Sequence, residues 1–163
     1  MKKVQGSLKL LCEEFGINDY VINKDGSIDV LSDVTINRFG IEYLPIKFRN
    51  VYGHFNCYSN NLTTLENSPR FVKGDFVCSW NKLTNLSGGP IEVTGDFYCH
   101  YNKLTSIKNG PTKLKGNFFT NKLEIKDLEY DNYGFIPSIR NYDNLVMERH
   151  RKKIINKILK KWY

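Results

Sequence analysis

Apolar and polar positions along this chain repeat every 21 residues. Phe55, Phe76, Phe97 and Phe118 share one column, Cys57, Cys78 and Cys99 a second, and Leu62, Leu83 and Leu104 a third. Leu65, Leu86 and Ile107 follow, then Pro69, Pro90 and Pro111, then Val72, Val93 and Leu114. Polar columns keep the same step: Gly53, Gly74, Gly95 and Gly116, and Asn60, Asn81 and Asn102. A fixed period over this many columns marks stacked supersecondary units, none of which can bury its apolar side alone. The period continues backward in weaker form, with Val34, Ile36, Ile41, Leu44 and Val51 in the columns of Phe55, Cys57, Leu62, Leu65 and Val72. The pattern therefore predicts a degenerate first unit at 32–52 and full units at 53–73, 74–94 and 95–115. A shortened fifth unit begins at Gly116 and reaches its Asn121 two residues early, which gives a solenoid over 32–128.

Within a unit the alternation Gly95-Asp96-Phe97-Tyr98-Cys99 suits a short strand. Phe97 and Cys99 then point inward, and Asp96, Tyr98 and His100 point outward. Asn102 falls where the chain turns. An inward Asn there can bond backbone groups of its own unit and of its neighbour, so Asn60, Asn81 and Asn102 form an expected ladder. Leu104 and Ile107 re-enter the core, Pro111 interrupts regular structure, and Leu114 closes the unit.

The flanks follow a different rhythm. Leu8, Leu11, Cys12 and Phe15 fall at i, i+3, i+4 and i+7, one face of a helix that Gly16 would stop. Asp25-Gly26 lies between Tyr20-Val21-Ile22 and Ile28-Asp29-Val30, a hairpin signal. Helix plus hairpin over 1–31 is the expected N-terminal cap, since an uncapped first repeat exposes its interior. Residues 129–141 contain Gly134 and Pro137 and read as a linker. Residues 142–163 read as a C-terminal amphipathic helix, with Met147, Ile154, Ile155, Ile158, Leu159 and Trp162 along its apolar stripe.

Phe-x-Cys-x-x-Asn-x-Leu resembles the second half of the leucine-rich repeat, L-x-x-L-x-L-x-x-N-x-L. The short period and the Pro in the return segment look like the bacterial type of that repeat. The wording Gly-Asp-Phe-Tyr-Cys-x-x-Asn-Lys-Leu-Thr-Ser-Ile at 95–107, with the lead-in Asp25-Gly26-Ser27-Ile28-Asp29-Val30, resembles short leucine-rich-repeat-like proteins often encoded by bacteriophages and low-GC bacteria. The likeness covers residues 20–128. It departs in the first unit, where Phe39 replaces the ladder Asn, and in the shortened fifth. The fold class it implies is an α+β repeat, a leucine-rich-repeat-like solenoid with a parallel β-sheet; the N-terminal helix and hairpin and the C-terminal basic helix, the latter outside the likeness, are its expected caps. It also implies a phage protein that meets a host factor in the host cytoplasm.

Composition narrows the function classes. With 40% hydrophobic and 13% aromatic residues the chain is not wholly disordered. No run approaches the ~18 apolar residues that span a bilayer, and Met1–Lys9 lacks the apolar core of a secretory signal. Four cysteines without C-x-x-C pairs fit a reducing, intracellular setting better than a disulfide or zinc scaffold. Cys57, Cys78 and Cys99 would lie in a straight row rather than around a tetrahedron, so they are expected as core residues and not as metal ligands. Nucleophile-elbow, zincin, P-loop and dinucleotide motifs are lacking, so no catalytic, cofactor-binding or metal residue is expected and an enzyme is not expected.

Two surfaces remain as binding candidates. The outward strand columns gather Tyr58, Asp75, Trp80, Asp96, Tyr98, His100, Tyr101 and Phe119, aromatics with polar neighbours of the kind enriched at protein-binding hot spots. A protein partner anchored by these rings, with Asp75 and Asp96 choosing a basic patch, is the first expectation. Cross-strand packing of the same aromatics is the plainer explanation. The alternative uses charge. The net charge is +7, and residues 138–163 supply +6 of it. Arg149, Arg151, Lys152, Lys153, Lys157, Lys160 and Lys161 would let the C-terminal helix bind nucleic acid or an anionic surface. Oligomerisation through an exposed solenoid end is a third class.

Overall fold

The computed structural model describes residues 2–120 and 139–141. The repeat columns become the rungs of a parallel-strand β-solenoid of about four turns. Its single helix among the described residues, α1 (Lys2–Glu14), precedes an antiparallel hairpin of β1 (Tyr20–Ile22) and β2 (Ile28–Val30). From there each turn contributes two short strands. One set comprises β3 (Val34–Thr35), β5 (Phe55–Asn56), β7 (Phe76–Val77), β9 (Phe97–Tyr98) and β11 (Phe118–Thr120). The other comprises β4 (Phe48–Val51), β6 (Phe71–Val72), β8 (Glu92–Val93) and β10 (Lys113–Leu114).

The sequence pattern predicts one parallel sheet, whereas the structure forms two. The first runs β3-β5-β7-β9-β11-β12, where β12 is Ile139–Asn141, and the second β1-β2-β4-β6-β8-β10. Val72, Val93 and Leu114, read only as closing residues, are strand residues of the second sheet. Two-residue strands are too short for periodicity to reveal, and their pairing comes from stacking rather than from local propensity. The solenoid's coil step sets the register: Phe55 pairs with Phe76, Phe76 with Phe97, and Phe97 with Phe118. Strand β12 (Ile139–Asn141) pairs in parallel with β11, so the last three residues assigned to the linker extend the first sheet. The rest of the linker and the C-terminal helix of 142–163 lie outside the described residues.

The core is one continuous cluster running along the solenoid axis. Phe55, Phe76, Phe97 and Phe118 stack face to face with ring centroids 5.0–5.3 Å apart. Phe48 meets Phe55 edge-on. Cys57, Cys78 and Cys99 are fully buried free thiols, and each donates to a carbonyl of the next turn at 3.4 Å. Leu8, Cys12 and Phe15 of the N-terminal segment join the same cluster.

Two polar ladders lock successive turns together. The expected asparagine ladder forms inside. Asn81 Nδ2 donates to the carbonyls of Cys57 and Cys78, both at 3.0 Å, and its Oδ1 accepts from Leu62 N–H at 2.9 Å. Asn102 repeats the arrangement one turn on, with Cys78, Cys99 and Leu83 as partners. A second ladder follows the glycine column. Asp33 Oδ1 accepts the N–H of His54, His54 Nδ1 that of Asp75, Asp75 Oδ1 that of Asp96, and Asp96 Oδ1 that of Asn117. To reach the next turn the acceptor crosses directly over a glycine. A Cβ on Gly95 would lie 2.6 Å from the Gly74 carbonyl carbon and 2.7 Å from Asp75 N.

Candidate functional site

The residues predicted to face outward on the first sheet are largely brought together. Trp80 and Tyr101, on successive turns, touch with ring centroids 4.3 Å apart. His100 meets Tyr101 edge-on at 5.3 Å and Tyr98 at 6.2 Å. Tyr98 in turn stacks on Phe119 at 4.6 Å, nearly parallel. Five rings thus form a contiguous patch over the last described turns. Within it Trp80 and Tyr101 keep 49% and 46% of their surface exposed. Tyr58 stands apart, with the Arg38 guanidinium 5.9 Å above its ring as a cation–π neighbour.

Backbone geometry places the same pair at a recurring turn position. Arg38, Ser59, Trp80 and Tyr101 occupy one repeat column, and all have left-handed backbone, with φ of 54–61°. The chain turns there, directly before the asparagine ladder. For a residue with a Cβ this conformation costs roughly 1–2 kcal/mol. Two turns fill the position with Ser or Arg, and two fill it with a large exposed aromatic ring. A second left-handed column holds Asn67, Gly88 and Asn109, residue types that suit it.

Asp75 and Asp96 lie at the start of the strands and are half-buried. The sequence offers both to a partner, but in the fold each also holds the next turn through the outer ladder. Asp75 Oδ2 lies 3.3 Å from His54 Nδ1, and Asp96 Oδ2 accepts from Tyr98 O–H at 3.0 Å. The signal that could have revealed this is the recurring Gly-acceptor pair: Gly53-His54, Gly74-Asp75, Gly95-Asp96 and Gly116-Asn117.

Ser79, placed in an outward column by the period, is fully buried, and its hydroxyl lies 3.1 Å from His100 Nδ1. Burial pushes the His100 pKa below its ordinary 6.5, so the imidazole is neutral at pH 7. A Ser–His contact is half of a nucleophilic pair, but a hydroxyl with no exposed surface cannot meet a substrate.

Burial also governs the thiols. It pushes Cys57 and Cys99 up to about 12, and Cys78 well above the ordinary 9.0. Protonated, sealed thiols are poor metal ligands and poor nucleophiles. Among the described residues, no group of three or more His, Cys, Asp or Glu is arranged to hold a metal ion.

A groove of about 460 Å³ lies against the second sheet, lined by Asp25, Lys47, Arg49, Arg70 and the loops at 66–68 and 88–91. Much of its charge is satisfied internally. Lys47 pairs with Asp25 at 2.9 Å, and Arg49 pairs with Asp29 and holds that carboxyl below the usual range. No helix among the described residues is long and apolar enough to cross a membrane. In comparisons with known proteins, no family model, curated protein or solved structure matches the chain.

Proposed function

We propose that this protein is a non-enzymatic interaction module, a short leucine-rich-repeat-like solenoid that docks a protein partner on its aromatic face. The observation that carries this is the exposed Trp80–Tyr101 pair, held in left-handed backbone and continuous with His100, Tyr98 and Phe119. Trp and Tyr in a rigid, partly desolvated setting supply the anchors that dominate protein interfaces. Preorganisation by the two ladders keeps the ordering cost of docking low. Helix α1 with the β1–β2 hairpin would cap one end of the solenoid, and the basic segment 142–163 the other. The setting proposed is the cytoplasm, with a host protein as partner if the resemblance to phage-encoded proteins extends to context.

Ser59 occupies the Trp80 column in the preceding turn, so Trp80→Ser with Tyr101→Ser is a replacement the backbone already accepts. Tagged protein and this variant are run against nuclease-treated lysate. A companion variant carries Gln at Lys152, Lys153, Lys157, Lys160 and Lys161. One stoichiometric protein kept by wild type and the Gln variant, and lost by the Ser variant, is the expected result. Nucleic acid recovered from untreated lysate, dependent on the C-terminal lysines, with no face-dependent protein, would move the function to the basic segment.

A further inference from the structure

Charge around the aromatic pair is asymmetric across the face. On the strand side lie Asp75 and Asp96, half-buried and engaged with the next turn. On the turn side, two residues beyond each aromatic, lie Lys82 and Lys103, both exposed and in register one turn apart. Their backbone N–H groups bond the preceding turn in the same way, Lys82 to the Leu62 carbonyl and Lys103 to the Leu83 carbonyl, each at 2.9 Å. Their ammonium groups have no carboxylate partner among the described residues. Residues 80–91 and 101–111 include Lys82, Lys103 and Lys108 and contain no Asp or Glu. The preceding turn has Asn61 in this column and Glu66 further on, so the positive edge begins with the turn that carries Trp80.

We propose that the partner docked here is an acidic protein segment. Its carboxylates lie against Lys82 and Lys103, while an apolar side chain covers the Trp80–Tyr101 pair. This rests on the docking function proposed above and reverses the charge expected from Asp75 and Asp96 alone. Two unpaired cations beside a hydrophobic anchor steer an acidic segment and set its direction across the face. A nucleic acid fits less well, because its evenly spaced phosphates would also meet the carboxylates of Asp75 and Asp96. A peptide bears its charges only where its sequence puts them.

The test uses the full chain, immobilised, and a random library of displayed peptides. Enriched peptides are then synthesised and titrated by fluorescence anisotropy. The targets are wild type, Trp80→Ser/Tyr101→Ser and Lys82→Asn/Lys103→Asn, the last pair copying Asn61 of the preceding turn. Circular dichroism melts establish that both variants keep the fold. The expected winners are rich in Asp and Glu. They should lose binding on the Ser variant and weaken roughly five- to tenfold on the Asn variant. Their affinity should also fall as salt rises from about 50 to about 500 mM.

Face-dependent peptides that are neutral or basic, or indifferent to the Asn variant, would overturn the acidic partner and leave docking on the face intact. Failure to recover any peptide that depends on Trp80 and Tyr101 would overturn docking itself, and this inference with it. A single-stranded oligothymidylate bound more tightly than any peptide, through Lys82 and Lys103, would replace the protein partner with nucleic acid.

Discussion

Asn81 to Ala removes the middle rung of the inner ladder, and the neighbouring rung supplies its own control. The substitution deletes two bonds from Nδ2 to the carbonyls of Cys57 and Cys78 and one from Leu62 N–H to Oδ1, all at 2.9–3.0 Å, and a longer one from Nδ2 to the Ser79 carbonyl at 3.3 Å. The three carbonyls keep a partner, because Asn60 also donates to Cys57, Asn102 to Cys78 and Ser59 N–H to Ser79. The Leu62 N–H is left buried with none. The three shorter bonds at about 1 kcal/mol each, part of which the shared carbonyls retain, plus about 1–3 kcal/mol for the orphaned donor, give a loss of about 3–5 kcal/mol. That is a large share of the stability of a small domain.

Asn60 to Ala is different. Asn60 Nδ2 donates to Ile36 and Cys57, but its Oδ1 has no hydrogen-bond partner among the described residues. This substitution orphans a carbonyl, which is more tolerable than an N–H, and it removes one acceptor that was already unsatisfied. About 1–2 kcal/mol is expected. Urea denaturation followed by circular dichroism measures both midpoints at constant m. Equal shifts for the two variants, or a loss under about 1 kcal/mol for Asn81→Ala, would refute the ladder as an energetic device.

Other expectations follow from the same geometry. Gly95→Ala drives a Cβ into the Asp75 rung and the Gly74 carbonyl carbon, and should cost about 2–4 kcal/mol by the same denaturation assay. The thiols set an alkaline limit. Below pH 9.0 both folded and unfolded chains keep them protonated, whereas above it only the unfolded chain ionises freely, so stability falls between about 9 and about 12. Cys57 and Cys99 should each contribute on the order of 1 kcal/mol of loss per pH unit in that window, and Cys57→Ala/Cys99→Ala should flatten the slope of melting temperature against pH. His100 shows the opposite sense. Its folded pKa lies below 6.5, so acidification through 6.5 protonates the unfolded chain first and lowers stability. An imidazole proton-shift titration with a His100 midpoint at or above 6.5 would contradict its burial.

Much of the fold is legible in the sequence because a repeat states its columns several times over. The inward Phe and Cys columns, the Asn ladder, the N-terminal helix and the Asp25-Gly26 hairpin are all local or periodic signals. The second sheet was not legible. Phe71-Val72 and Glu92-Val93 carry no alternation long enough to mark a strand, and they pair only because the first sheet sets the coil step. The aromatic patch was legible as a set of columns but not as a surface. Periodicity could not tell that Tyr58 stands apart or that Ser79 is fully buried between half-buried column neighbours.

What the sequence determined by itself is the repeat length, the stacking direction and the side chains that enter the core. Each follows from apolar area that one unit cannot bury alone. What only the tertiary structure decided is how polar groups divide between fold and surface. Asp75 and Asp96 hold the next turn because a glycine lets each acceptor cross to the following N–H. Trp80 and Tyr101 take the left-handed turn position because the ladder behind them over-determines the backbone. Lys82 and Lys103 become neighbours because stacking brings residues 21 apart in sequence to about 4.8 Å in space.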